Sequence, residues 1–180
     1  EFISSAQVKW GQRSSLTMML PHGYEGQGPD HSSARIERYL QLAAQDTLWV
    51  AQPSTPANHF HLLRKQAYRR PRTPLIEITP KQLLRLSAAT SPLEDFTSGG
   101  FQPVIGETDP KVLAGAASVK TVLICSGRIY YDLVKERSKL GRNDVAIIRQ
   151  ELLFPLPVEE LAAALQPFGG AQVRWVQDEP

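Results

Sequence analysis

Short apolar runs of strand length alternate along this chain with stretches in which apolar residues recur every three or four positions. Residues 15–20 and 48–52 read as strands. Between them, residues 34–45 place Ile36, Tyr39, Leu40 and Ala43 on one helical face and Arg35, Glu37, Arg38 and Gln41 on the other. Thr55-Pro56 then supplies a capping side chain and a first-turn proline for a helix running to about Arg69, and residues 74–79 form a third strand. The order strand-helix-strand-helix-strand predicts a parallel sheet with helices on its faces.

From residue 87 to 120 the periodicity fails. Pro92, Gly99, Gly100, Pro103, Gly106, Pro110 and Gly115 punctuate a polar stretch that reads as a linker between domains. A second unit follows: a buried strand at Thr121–Cys125, a helix capped by Ser126 and running to about Leu140, and a strand at 144–148. Pro157 opens a helix with Val158, Leu161, Ala162 and Leu165 in phase, and a last strand covers 172–176. The predicted class is therefore α/β, two units of mostly parallel sheet flanked by helices. Each unit is small for an independent domain, and no helix follows the last strand, so a fragment of a larger polypeptide is expected.

Composition changes this picture little. Of 180 residues, 42% are hydrophobic and 21% charged, which is ordinary for globular protein, and 20 basic against 18 acidic residues give a net charge of +2, too balanced to point to a nucleic acid or a membrane. The cluster Arg64, Lys65, Arg69, Arg70 and Arg72, with Tyr68 inside it, could touch phosphates, or could simply complement a helix end. Cys125 is the single cysteine, so it has no internal disulfide partner and reads as a small buried hydrophobe. No apolar run approaches the roughly 20 residues that span a bilayer, and residues 1–5 do not resemble a signal peptide, so a cytoplasmic protein is expected.

Candidate chemistry concentrates in residues 20–35, where Gly23, Gly26 and Gly28 shape a loop that delivers His31, Ser32 and Ser33 to the start of the first amphipathic helix. A helix N-terminus capped by either serine would favour a carboxylate, and His31 beside it could bind an acid or move a proton near neutral pH. The alternative is that the serines only cap, the glycines only turn and His31 is solvated. His59 and His61 lie two apart on a helix and so point apart, and His22 and His31 lie nine apart, so no metal-ligand spacing appears. Neither a dinucleotide fingerprint, a phosphate loop nor a nucleophile elbow occurs. Tyr130, Tyr131 and Trp175 read as packing residues, and Glu159 and Glu160 as dipole-stabilising acids.

The run Leu20-Pro-His-Gly-Tyr-Glu-Gly-Gln-Gly-Pro-Asp-His-Ser-Ser-Ala-Arg35 resembles the thiamine diphosphate-dependent E1 component of 2-oxoglutarate dehydrogenase. Lys9-Trp-Gly-Gln12, Pro53-Ser-Thr-Pro-Ala-Asn58, Phe60-His-Leu-Leu-Arg64, Thr79-Pro-Lys81, Cys125-Ser-Gly127, Asp144-Val-Ala-Ile147 and Trp175-Val-Gln-Asp-Glu-Pro180 extend the resemblance over the whole chain. It implies the later half of a transketolase-like pyrimidine-binding domain over 1–86, an interdomain linker over 87–119 and the start of a transketolase-like C-terminal domain over 120–180. It further implies a homodimer that uses thiamine diphosphate and Mg²⁺ to decarboxylate 2-oxoglutarate and passes the product to the lipoyl group of a dihydrolipoyl succinyltransferase.

Among these residues, His31 matches an active-site histidine of the family and is implied to contact substrate or assist proton transfer; His22 is given a role in loop structure. The cofactor and metal ligands and the other substrate-binding histidines would precede Glu1, so cofactor-binding residues within the chain are not assigned and the 180 residues alone are expected to be inactive. An acetyl-CoA site of some bacterial relatives aligns with Trp49, Lys65, Gly100, Pro103, Leu152, Glu159 and Glu160. The two acids oppose an anionic ligand there, so weak or absent activation is expected. The competing readings are a 2-oxoadipate dehydrogenase and a non-catalytic interaction module.

Overall fold

The computed structural model describes residues 1–22, 26 and 28–178; Gly23, Tyr24, Glu25 and Gln27 of the glycine-rich motif and Glu179 and Pro180 of the C-terminal motif lie outside the described residues. The first half comprises α1 (Ala6–Trp10), β1 (Thr17–Leu20), α2 (Ile36–Leu42), β2 (Trp49–Ala51), α3 (Pro56–Tyr68) and β3 (Leu75–Ile78). Next come α4 (Glu94–Thr97), β4 (Val104–Ile105) and α5 (Pro110–Ala114). The remainder is β5 (Thr121–Cys125), α6 (Ile129–Lys139), β6 (Val145–Gln150), β7 (Leu152–Phe154), α7 (Val158–Leu165) and β8 (Gln172–Trp175).

The strands form two four-stranded sheets, ordered β1-β3-β2-β7 and β4-β6-β5-β8. Each has a parallel core with one antiparallel edge: β3 pairs in parallel with β1 and β2, and β5 with β6 and β8. The expected parallel strands all form. The two antiparallel edge strands are the departures. β4 lies inside the stretch read as a linker and pairs with β6, while β7, absent from the sequence reading, pairs with β2. Strands of two or three residues are too short to carry a periodic signal.

β7 changes how the two units relate. β6 ends at Gln150 in the second sheet and β7 starts at Leu152 in the first, so the chain passes from one sheet to the other across Glu151 alone. The stretch 87–120 is likewise fastened down. Arg137 of α6, although basic, is buried, and it donates to the Glu107 carboxylate at 2.5 Å, to Asp109 at 3.3 Å and to the Val145 carbonyl at 3.1 Å. Glu107 also accepts from the Ile147 amide at 2.7 Å.

Period-two alternation divides the core of the first sheet. Ala51, Leu75 and Leu152 pack with Leu62 of α3 and Phe101 on one face. On the other face, Leu48, Val50, Ile76 and Ile78 pack against Ile36, Tyr39 and Ala43 of and beside α2. The second sheet packs Val122, Ala146 and Ile148 with Val112, Val119 and Phe168.

Several helix ends differ from expectation. α2 stops at Leu42, where Ala43 takes extended backbone with ψ of 117°, and Gln45 and Asp46 beyond it both take left-handed backbone, with φ of 51° and 55°. α3 keeps its expected start: the Thr55 hydroxyl accepts from the Asn58 amide at 3.2 Å, with Pro56 in the first turn. Ser126 does not cap α6, whose first helical residue is Ile129; its hydroxyl donates instead to Gln52 of the first unit at 2.8 Å. Ala164 and Leu165, rather than Val158 and Ala162, carry α7 onto the core.

Candidate functional site

A cavity of about 740 Å³ opens beyond the carboxyl ends of the parallel strands β1, β2 and β3, where α/β folds hold ligands. Each strand delivers residues to it: Met19 and Pro21 at the end of β1, Pro53 to Pro56 after β2, and Thr79 to Lys81 after β3. His31 lines it too, in a short 3-10 turn, Pro29–His31. The wall is mostly apolar, with Phe60, Leu63, Leu83 and Phe96 among the lining side chains.

His31 is half-buried, and its Nδ1 is buried without a hydrogen-bond partner among the described residues. The His22 ring stands edge-on to it at 5.8 Å, and His22 Nδ1 accepts from the Ala34 amide at 3.3 Å, tying the two ends of the loop together. These are contacts of the kind that the loop-structure role expected for His22 would need. The serines do not cap α2. α2 begins at Ile36, its N-cap is Arg35 with no side-chain cap, and the Ser32 hydroxyl bonds locally to the Pro29 carbonyl at 3.4 Å. A seven-residue helix starting four positions beyond Ser32 is not the anion site that the loop suggested; Arg35 takes extended backbone, so the helix starts only at Ile36.

The entry to α3 is held by the second unit. Glu151, fully buried, accepts from the Ser54 amide at 2.6 Å, from the Ser54 hydroxyl at 2.6 Å and from Asn58 Nδ2 at 3.0 Å. Arg149 donates to Ser54 Oγ at 3.2 Å, and the Tyr131 hydroxyl donates to the Ser54 carbonyl at 2.7 Å. Every polar atom of Ser54 is thus engaged across the two sheets. Burial pushes the Glu151 carboxyl above the usual range, with the Arg149 charge and the Ser54 and Asn58 donors pulling it back. Burial likewise raises the Tyr131 phenol to about 12, which keeps it a hydrogen-bond donor.

Sequence reasoning missed a second polar feature of the cavity. His59, which lines it, has Nδ1 2.5 Å from Oε1 of Glu77, a fully buried acid in β3. The hydrogen bond to Glu77 raises the His59 pKa above 6.5 against the opposing effect of burial. The signal was present, since Glu77 interrupts the apolar run of a strand buried on both faces. His61 points elsewhere, to the Asp95 carbonyl at 2.7 Å, as the two-residue spacing required.

Other candidates resolve into packing. Arg69 stacks 3.7 Å over the Trp49 ring, and Lys65 lies 5.4 Å from the same ring, so two members of the basic cluster are spent on an aromatic surface. Cys125 is buried, and desolvation pushes its thiol to about 12. Among the described residues no group of three His, Cys, Asp or Glu side chains could hold a metal ion, and no helix is long and apolar enough to cross a membrane.

Residues 1–87 match the transketolase pyrimidine-binding domain and residues 90–180 the 2-oxoglutarate dehydrogenase C-terminal family. Among curated relatives, the 2-oxoglutarate dehydrogenase E1/E2 component of Corynebacterium glutamicum is 56% identical over 182 residues, covering 100% of this chain and 15% of the relative. The 2-oxoglutarate dehydrogenase E1 component of Cupriavidus necator is 53% identical, covering 100% of this chain and 19% of the relative. A multifunctional 2-oxoglutarate metabolism enzyme of Mycolicibacterium vanbaalenii is 50% identical, again over 100% of this chain and 15% of the relative. The chain thus spans 15–19% of the length of these relatives. The two matches meet between residues 87 and 90, at the start of the stretch that the Arg137–Glu107 pair pins to the second sheet, and the chain belongs to the 2-oxoglutarate dehydrogenase E1 family.

Proposed function

We propose that the full-length protein carrying this chain is a thiamine diphosphate-dependent 2-oxoglutarate dehydrogenase E1, and that His31 acts at its active site. The observation that carries this reading is His31 itself: a half-buried imidazole, with no protein partner for Nδ1 among the described residues, on the wall of a cavity at the carboxyl ends of parallel strands. Relatives named for 2-oxoglutarate dehydrogenase, 50–56% identical over the whole chain, support it. The domain limits follow the same reading: the later part of a pyrimidine-binding domain over 1–86, a connecting segment over 87–119 and the start of the C-terminal domain over 120–180.

The residues present fit one part of a cofactor site. The apolar wall formed by Pro53, Phe60 and Leu63 suits an aromatic ring system, whereas the described residues offer no set of ligands for Mg²⁺. Thiamine diphosphate, when bound, supplies the electron sink that makes loss of carbon dioxide feasible. The chain's own contribution is to exclude water with the apolar wall and to bind substrate or move a proton through the His31 imidazole, whose ring His22 braces edge-on. The further elements of the reading are Mg²⁺ bound outside these residues, a homodimer, a lipoyl-bearing succinyltransferase as partner and a cytoplasmic location.

The test is carbon dioxide release from 2-oxoglutarate by the full-length protein with thiamine diphosphate and Mg²⁺. His31→Ala is expected to lower kcat about 100-fold or more with the melting temperature retained. Turnover unchanged by that substitution overturns the assignment of His31. A folded wild type inert towards both 2-oxoglutarate and 2-oxoadipate overturns the enzyme reading in favour of an interaction module.

A further inference from the structure

The loop after β2 carries part of the cavity wall and is built into the second unit. The Gln52 amide donates to the Glu151 carbonyl at 2.8 Å, and the Gln52 side chain accepts from Ser126 Oγ at 2.8 Å. Ser54 is bonded at its amide, carbonyl and hydroxyl to Glu151, Arg149 and Tyr131, at 2.6–3.2 Å. The first turn of α3 is held as well. Asn58, 4% exposed, donates to Glu151 Oε2 at 3.0 Å and exchanges two hydrogen bonds with the Gln102 backbone, at 2.8 and 3.0 Å.

These contacts fix where much of the wall stands. Pro53, Thr55 and Pro56 line the cavity from the loop, and Phe60 and Leu63 line it from the α3 turns that follow, while His31 comes from the turn beyond β1. Apolar packing is non-directional and lets a segment slide, whereas hydrogen bonds to a carboxylate hold both distance and angle. Glu151 has 0% exposure, and a buried charge of this kind is a weak source of stability, because desolvation consumes most of the attraction. Its three donors, two on the loop and one on the helix, define a geometry instead.

We propose that Glu151 is a positioning residue of the cavity: acting through Ser54 and Asn58, it holds the 53–56 loop and the start of α3 where the reaction at His31 needs them. The second unit thereby takes part in turnover without supplying a group that touches the substrate. The proposal rests on the 2-oxo acid reading of the cavity. Misplacing a substrate by about 1 Å is enough to cost up to about 100-fold in rate, so a loosened wall is expected to act on kcat.

The experiment compares full-length wild type, Glu151→Leu, Glu151→Gln and Arg137→Met at a temperature where all are folded. Arg137→Met is the control, because it breaks a buried ion pair of the second unit that holds Glu107 and Asp109 rather than the cavity wall. Glu151→Leu should lower kcat for 2-oxoglutarate about ten-fold or more, and Arg137→Met should leave it within about two-fold of wild type. Glu151→Gln, whose carboxamide oxygen still accepts from the Ser54 amide and Asn58, should recover most of the loss. Hydrogen exchange adds a readout without turnover: the amides of residues 54–58 should exchange faster in Glu151→Leu and as in wild type in Arg137→Met.

Equal losses of kcat in Glu151→Leu and Arg137→Met, or a wild-type kcat in Glu151→Leu, overturn the proposal. Should Glu151→Leu not fold, Tyr131→Phe carries the test, since it removes only the donor to the Ser54 carbonyl. Faster exchange at 54–58 with kcat lowered about three-fold or more is then expected, and an unchanged kcat overturns the proposal. If the folded wild type is inert towards 2-oxo acids, the proposed function falls and exchange alone decides: faster exchange at 54–58 confined to the Glu151 variants keeps the clamp, and unchanged exchange removes it.

Discussion

Glu151 holds Ser54 from a distance of 97 residues in the sequence, taking its amide and its hydroxyl on separate carboxylate oxygens, each at 2.6 Å. Because Glu151 is the one residue between β6 and β7, the acid sits where the chain crosses from one sheet to the other, and Ser54 sits on the cavity wall. The second unit therefore shapes a site whose lining comes from the first. Glu151→Leu leaves the Ser54 amide, Asn58 Nδ2 and the Arg149 guanidinium short of an acceptor or counter-charge in the interior. A loss of about 3–5 kcal/mol is expected, read as a lower denaturant midpoint of the full-length protein. A shift of only a few tenths of a kcal/mol would show that the carboxylate does not hold the two sheets together.

The Arg137–Glu107 pair, with side chains 7% and 2% exposed, pins the 87–120 stretch to the second sheet. Arg137→Met should destabilise by about 3–5 kcal/mol, since it leaves a buried carboxylate without its cation. Adding Glu107→Leu should restore part of that loss despite removing an acceptor for Ile147 N–H. Additive losses in the double variant would argue against coupling through this ion pair.

Gly127 adopts φ +67°, and a Cβ there would lie 2.5 Å from Gln52 Nε2. Gly127→Ala must accept left-handed backbone and push aside the Gln52 side chain that receives the Ser126 hydroxyl, an effect of about 1–3 kcal/mol. In a Gln52→Ala background the same substitution should cost less, because only the backbone penalty remains. Equal costs in both backgrounds would remove Gln52 from the explanation.

His59 gives the fold a pH dependence of defined sign. Its folded pKa lies above the unfolded value of 6.5, so the stabilisation is complete below that value and is lost as pH rises through the folded pKa. Relative to His59→Gln/Glu77→Gln, in which neither position titrates, wild type should lose its advantage in melting temperature as pH rises from about 6. An advantage that grows over that interval would reverse the sign assigned to the pair.

Local pattern was enough to recover the order of the long elements, the parallel β-α-β units, the Thr55-Pro56 start of α3 and the place of His31 in a motif of the family. These depend on residues within a few positions of one another, and periodicity, capping and turn chemistry record such relations directly. Edge strands of two or three residues left no period to read. Ser126 looked like a cap because nothing in its neighbourhood reveals Gln52, 74 residues away. Glu77 and His59 lie 18 residues apart on different elements, and Glu151 and Ser54 97 apart, so their pairings exist only after β3 packs on α3 and β7 joins β2. A buried charge signals in the chain that it needs a partner, but which partner it receives is settled by packing, because the desolvated interior accepts a carboxylate only where the assembled fold brings donors to it.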